Sequence, residues 1–112
     1  METITWNDFE KLDIRIGTIT EARNFEKARK PAYQLTIDFG PEIGIKKSSA
    51  QITEHYALTD LEGRQVVAII NFPPKQIANF ISECLVLGVY TEDKSVVLLQ
   101  PAQPLSNGLK IG

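Results

Sequence analysis

The 112 residues contain a single cysteine, Cys84, so no disulfide can form within the chain and a reducing compartment, the cytoplasm, is the expected location. There is also only one histidine, His55, and one His with one Cys cannot assemble a structural zinc site, which takes four such ligands. A Cys84–His55 nucleophile pair is disfavoured. Cys84 sits in an apolar stretch, where a free cysteine behaves as a small buried hydrophobe; a reactive thiol wants an electropositive, partly exposed setting. The longest apolar runs, such as Val66–Ile70, fall far short of the roughly 20 residues a membrane-spanning helix requires, so membrane insertion is not expected. The opening Met-Glu-Thr has neither the basic nor the apolar region of a secretion signal. No Gly-x-Gly-x-x-Gly and no phosphate-loop Gly-Lys-Ser occur. The carboxylates Asp8, Glu10 and Asp13 cluster where a surface helix and its exit are expected. The sequence thus offers no catalytic, metal or cofactor site, and a non-enzymatic binding protein is the expectation.

What is present is an ordinary globular composition, 43% hydrophobic and 23% charged, over a length that fits one domain spanning 1–112. A net charge of −2 excludes a wholesale polycation, yet its distribution is uneven. Residues 1–22 sum to −3, residues 23–47 to +3, and the remainder to −2. A basic band inside an acidic chain is the footprint an anionic partner would leave, and equally that of a solvated basic face.

Residues 1–12 predict a helical extension: Thr5 as cap, Asp8 three residues on as the acidic partner of a capping box, and Ile4 with Phe9 as a hydrophobic staple. Trp6 and Phe9 share one helix face and are expected to dock on the body of the domain. The period then changes to two. Asp13–Ile16 alternates, and the apolar position slips from Ile16 to Ile19, which predicts a β-bulge beside Gly17. Tyr33, Leu35, Ile37 and Phe39 alternate with Gln34, Thr36 and Asp38, the clearest strand in the chain. A third strand is expected from Ile43 and Ile45 into Lys46–Ser49, a short helix near Gln51–Tyr56, a turn at Leu61–Gly63 and a buried strand at Gln65–Ile70. Strands at Ile81–Tyr90 and Ser95–Gln100 flank a hairpin loop, Thr91–Lys94. Residues 101–112 read as an extended tail. This inventory predicts an all-β fold: a five-stranded OB-fold Greek-key barrel with a short helix between strands 3 and 4 and additions at both termini.

Two clusters carry binding chemistry. In Lys46-Lys47-Ser48-Ser49-Ala50-Gln51, ammonium groups neutralise phosphates while hydroxyls and an amide reach phosphate oxygens or base edges. In Asn71-Phe72-Pro73-Pro74-Lys75, an amide, an aromatic ring and a cation leave a buried strand on a stiff turn. The plainer alternatives are turn-forming bonds for Asn71 and core packing for Phe72.

At these residues the chain resembles a known family. Phe9–Arg15 followed by Gly17-Thr18-Ile19 is similar to the opening of the tRNA-binding domains found as free-standing proteins, as C-terminal appendages of some methionyl-tRNA synthetases and in endothelial monocyte-activating polypeptide. Ala28–Ala32, Ile37–Gly40, Ser48–Thr53, Asn71–Pro74 and Asn107–Gly112 resemble one branch in particular, the CsaA proteins, described as export-related chaperones. The resemblance implies an OB-fold homodimer without catalytic activity, binding tRNA or, alternatively, holding unfolded or export-destined polypeptides in an apolar crevice of the dimer. The family's tRNA-contacting pattern maps onto Asn71, Pro74, Lys75 and Ser82. Lys75 stands in place of Arg, Asn79 in place of Gly, and Cys84-Leu85 in place of Gly-Met. The expected RNA-binding residues are therefore Lys46, Lys47, Ser48, Gln51, Asn71, Lys75 and Ser82. A two-fold dimer interface is expected at Trp6, Phe9, Pro101, Pro104 and Leu105, where an aromatic helix and a Pro-rich tail extend the minimal barrel.

Overall fold

The computed structural model describes all 112 residues. Helix α1 spans Trp6–Glu10. Thr5 Oγ1 accepts from the Asp8 N–H at 3.3 Å, and the Asp8 carboxylate accepts from the Thr5 N–H at 2.9 Å, the reciprocal cap the sequence predicts. Capping, not burial, fixes this helix: none of its residues is buried. Trp6 is 78% exposed, and its ring meets that of Phe9 edge to face, with the centroids 6.3 Å apart. The expected docking of Trp6 on the domain body does not occur within one chain, and Phe9 is only half-buried.

Nine strands follow: β1 Ile14–Asn24, β2 Tyr33–Asp38, β3 Ile45–Ala50, β4 Gln65–Ile69, β5 Lys75–Ile77, β6 Phe80–Ser82, β7 Leu85–Val86, β8 Gly88–Tyr90 and β9 Val96–Leu98. A second helix, α2, covers Leu58–Leu61. Five strands make an antiparallel sheet in the order β3-β2-β1-β4-β7, and β5-β6 and β8-β9 form separate hairpins. The long β1 serves both halves, pairing with β4 from Ile14 to Thr18 and with β2 from Thr18 to Asn24. The sheet curls into a nearly closed five-strand barrel of the OB type.

The bulge lies between Ile19 and Glu21, not beside Gly17 as the apolar slip suggested. That slip is a change of face. Ile14 and Ile16 are buried on the stretch of β1 that the C-terminal tail crosses, where Ile16 N–H donates to Leu109 O and Ile111 N–H to Ile14 O. From Gly17 onward the strand faces the barrel, and the bulge at Thr20 keeps both Ile19 and Ala22 inside. Gly17 itself answers to crowding: a Cβ there would sit 2.7 Å from Ile37 and the Phe39 ring.

The strand β2 behaves as predicted, with Tyr33, Leu35, Ile37 and Phe39 buried and joined in the core by Ile19, Ile52, Leu61, Val66, Ala68, Cys84 and Leu98. Elsewhere three expectations shift. Ile43 falls in a turn closed by Gly44 N–H to Gly40 O at 2.7 Å, so β3 starts at Ile45. The short helix sits at Leu58–Leu61, because residues 52–56 are held irregular by the buried Ile52 and by Tyr33 Oη donating to Tyr56 O at 2.7 Å, while Asp60 caps the Ala57 N–H. The expected strand Ile81–Tyr90 is broken into β6, β7 and β8, because the chain turns at Glu83-Cys84 to reach β3 before rejoining β4.

That turn closes the barrel. Glu83 N–H donates to Lys47 O at 2.7 Å, the only main-chain bond across the seam. The other links use side chains: Lys47 N–H to the Glu83 carboxylate at 3.0 Å, Ser49 N–H to Ser82 Oγ at 3.0 Å and Ser48 Oγ to Cys84 O at 2.9 Å.

Candidate nucleic-acid interface

Residues opposite one another in a ladder share a face of the sheet, so the register fixes the outer surface. Arg23 pairs with Gln34 and Gln34 with Ser49; Glu21 pairs with Thr36 and Thr36 with Lys47. The first row continues across the seam, since Ser49 N–H donates to Ser82 Oγ and Ser82 pairs with Lys75. A polar row thus runs Arg23, Gln34, Ser49, Ser82, Lys75 over strands β1, β2, β3, β6 and β5. Lys47 stands in the adjacent row with Thr36.

Each row carries one free lysine. Arg23 is engaged with Glu21 through a forked pair at 3.0 and 3.2 Å. Lys47 and Lys75 are exposed and join no ion pair. Glu83, whose carboxylate accepts from the Lys47 N–H, is the one acidic group built into the seam beside them. Its position at the barrel closure, carried by a bend in an apolar stretch, had no signal in the alternation pattern.

The structure thus brings Lys47, Ser82 and Lys75 together on one surface. Gln51 is exposed just beyond the end of β3. Lys46 lies opposite Ile37, on the same side of β3 as Ser48, and is half-buried rather than fully outward. Ser48 is 1% exposed; the expected contact with RNA is corrected here, because its hydroxyl is spent on the Cys84 carbonyl inside the seam. Asn71 is exposed but occupied: Oδ1 accepts from the Asp13 N–H at 3.0 Å and Nδ2 donates to Lys11 O at 2.6 Å. An amide has two donors and two acceptor sites, so one of each is left. Lys75 opens β5 rather than lying in the turn, and Phe72 is 48% exposed rather than in the core. Trp6, Pro104 and Leu105 are exposed, Phe9 and Pro101 half-buried; Leu105 is tied to β4, its N–H donating to Gln65 Oε1 and its carbonyl accepting from Gln65 Nε2.

Burial pushes the Cys84 thiol up to about 11 against a bond with Ser48 and the nearby charge of Lys46, so it stays protonated at neutral pH. His55 Nε2 contacts Ser95 Oγ at 2.6 Å, and Ser95 Oγ donates to the Asp93 carboxylate at 2.6 Å. These three types are those of a hydrolase triad, but Asp93 holds the serine rather than the imidazole, and Ser95 is buried. Bonds from Ser95 and then Thr91 hold the Asp93 carboxyl well below the usual carboxylate range. No three His, Cys, Asp or Glu side chains converge as a metal-binding group, and no helix is long and apolar enough to cross a membrane.

With this geometry in place, the family described as "Putative tRNA binding domain" matches residues 14–110. The chain belongs to the tRNA-binding domain family. It is 55% identical to the chaperone CsaA of Bacillus anthracis str. Ames, whose crystal structure superposes with a TM-score of 0.93 over 99% of this chain and 100% of that one. The CsaA chaperone protein of Picrophilus torridus gives 55% identity and a TM-score of 0.92, over 98% and 100% of the two chains. A methionine–tRNA ligase of Porphyromonas gingivalis is 36% identical over 98% of this chain. This chain spans only 16% of that ligase. The resemblance read from the motifs is to this same family, and the barrel is of the expected OB type.

Proposed function

We propose that this chain is a non-enzymatic, cytoplasmic, homodimeric RNA-binding protein that takes tRNA on the outer face of β3, β5 and β6. The observation that carries the reading is the pair of unpaired cations, Lys47 and Lys75, set around a row of polar hydrogen-bonding side chains in a member of the tRNA-binding domain family. Lysine ammonium groups are compact point charges that neutralise phosphates; Ser82 and Gln51 add hydroxyl and amide groups for phosphate or base edges. Lys46 and the remaining donor and acceptor of Asn71 flank this surface. Trp6, Phe9, Pro101, Pro104 and Leu105 supply the dimer contact. Titrating the purified protein with unfractionated tRNA at several salt concentrations tests this. Lys47→Ala and Lys75→Ala should each flatten the log affinity against log salt slope by roughly 0.7–0.9. A wild-type protein with no salt-dependent affinity for RNA overturns it.

A second reading has its own support. A groove of about 470 Å³ between the end of β3 and the β7–β8 stretch is lined mainly by apolar side chains, Ile52, Leu85, Val86 and Val96 among them, together with Gln51 and Lys94, and both 55%-identical CsaA relatives are called chaperones. In that reading the dimer holds unfolded or export-destined polypeptide in an apolar crevice. The lysine substitutions then spare client binding and Leu85→Asp abolishes it.

A further inference from the structure

Of the asparagines in the chain, only Asn107 is followed by glycine. That pair has a chemistry of its own. The main-chain nitrogen that follows an asparagine can attack the side-chain Cγ, and the next side chain obstructs the approach; glycine has none. The N–Cγ bond forms, the Cγ–Nδ2 bond breaks, and ammonia leaves with the proton of the attacking N–H. Water then opens the cyclic imide at either carbonyl, giving aspartate or isoaspartate.

In the fold both reacting groups are tied down. Gly108 N–H donates to Ile16 O at 2.7 Å, so the nucleophile is engaged with β1. Asn107 Oδ1 accepts from Thr18 Oγ1 at 2.6 Å and from Gln65 Nε2 at 3.3 Å, which fixes the amide against β1 and β4. Packing removes the room to rotate: a Cβ on Gly108 would lie 2.5 Å from Phe39 O, and one on Gly40 2.7 Å from Asn107 O. Ring closure therefore requires the tail to leave β1, breaking the bonds of Gly108 to Ile16, Ile16 to Leu109 and Ile111 to Ile14. None of these belongs to the five-strand sheet, so the opening is local rather than global.

We propose that Asn107 is a self-modification site gated by undocking of the tail, and that its two products act differently on the fold. Aspartate at position 107 keeps the acceptor for Thr18 and Gln65, so the tail redocks. Isoaspartate routes the main chain through Cβ and inserts a methylene before Gly108, which puts the later tail bonds out of register with β1. The strand β2 pairs with β1 only from Thr18 onward, so the edge at Ile14–Ile16 is covered by the tail alone. An isoaspartate tail leaves that edge open to strand pairing with another chain.

The test incubates the full chain at mildly alkaline pH and follows every asparagine by peptide mapping with mass detection. Modification should concentrate at Asn107 and run roughly tenfold or more slower in the folded protein than in urea, because only the open fraction reacts. Thr18→Val, which removes a tie on Oδ1, should speed the folded-state reaction. Ser48→Ala, which loosens the barrel seam and not the tail, should leave it unchanged. Equal rates with and without urea overturn the gate. So does a slower Thr18→Val, since the hydroxyl would then be activating the Cγ carbonyl rather than restraining it. Equal acceleration by Ser48→Ala makes global unfolding the route and also overturns it. Faster modification of another asparagine, or none at Asn107 in urea, overturns the site itself. The products are compared by hydrogen exchange at the Ile16 amide, whose acceptor is Leu109 O. Asn107→Asp should keep that protection and the isoaspartate form collected from aged protein should lose it; protection retained in both overturns the effect on the tail.

Discussion

Ser48 Oγ donates to the Cys84 carbonyl at 2.9 Å across the barrel seam, with the serine 1% exposed. A serine in a Lys-Lys-Ser-Ser run looks like a ligand-binding hydroxyl in sequence and is a structural bond in the fold. Ser48→Ala leaves a buried carbonyl short of its donor, which costs about 1–3 kcal/mol. Urea unfolding should show the midpoint fall with the slope of the transition unchanged, and tRNA affinity of the folded variant should match wild type.

Gly17→Ala is expected to destabilise more than its single methyl suggests. The new Cβ would lie 2.7 Å from Ile37 and Phe39, both 1% exposed or less. Overpacking of this kind costs about 1–3 kcal/mol. Thermal unfolding checks it, and a variant as stable as wild type would mean that the β1–β2 contact can relax.

Asn71→Ala removes two bonds that tie the exit of β4 to the α1–β1 junction. At about 1 kcal/mol per bond, a loss of roughly 2 kcal/mol is expected. Asn71→Asp keeps the acceptor toward Asp13 N–H and loses the donor toward Lys11 O, so it should fall between. If the remaining amide positions read a base edge, Asn71→Ala also narrows the gap between tRNA and bulk RNA by about 1–3 kcal/mol, with the salt slope unchanged.

The Cys84 thiol titrates near 11 in the folded chain against an ordinary 9.0. Folding therefore favours the protonated thiol. Its contribution to stability is complete below pH 9 and is lost as pH rises from 9 toward 11. Urea midpoints should decline over that window and less so in Cys84→Ala. Alkylation at pH 8 should be slow for the native protein and fast once urea unfolds it.

Trp6 is the sole tryptophan and is 78% exposed in one chain, which makes it a reporter for the proposed dimer. Its emission should shift to the blue as concentration rises through the association range, in step with the mass from light scattering. Trp6→Glu should leave a monomer with an intact barrel.

How far the sequence could be read depended on which physical rule governed each stretch. The half-buried β2 obeys strict alternation, so its inward and outward residues were legible one by one. The bulge at Thr20 has no residue marker; the glycine that seemed to signal it, Gly17, exists for close packing. The helix α2 covers Leu58–Leu61 only, and its position was decided by the tertiary bonds of Tyr33 and Tyr56, which local propensity does not report. At the site, Lys47, Ser82 and Lys75 were foreseeable as polar and cationic, whereas the inward direction of Ser48 depends on register with Leu35, known only once the sheet exists.

The barrel seam has a consequence for motion. Where most strands are joined by ladders, β3 is held to residues 82–84 by one main-chain bond and several borrowed side chains. Opening it breaks one main-chain bond and three side-chain bonds rather than a ladder, so it is expected toward the low end of the range of local opening energies. In native-state hydrogen exchange the amides of Lys47 and Ser49, whose acceptors are side chains, should lose protection well before those of Leu35 or Val66. The strand that carries the proposed phosphate contact is thus the one that can part from the barrel without unfolding it, and a bound polyanion bridging Lys47 and Lys75 would clamp it shut.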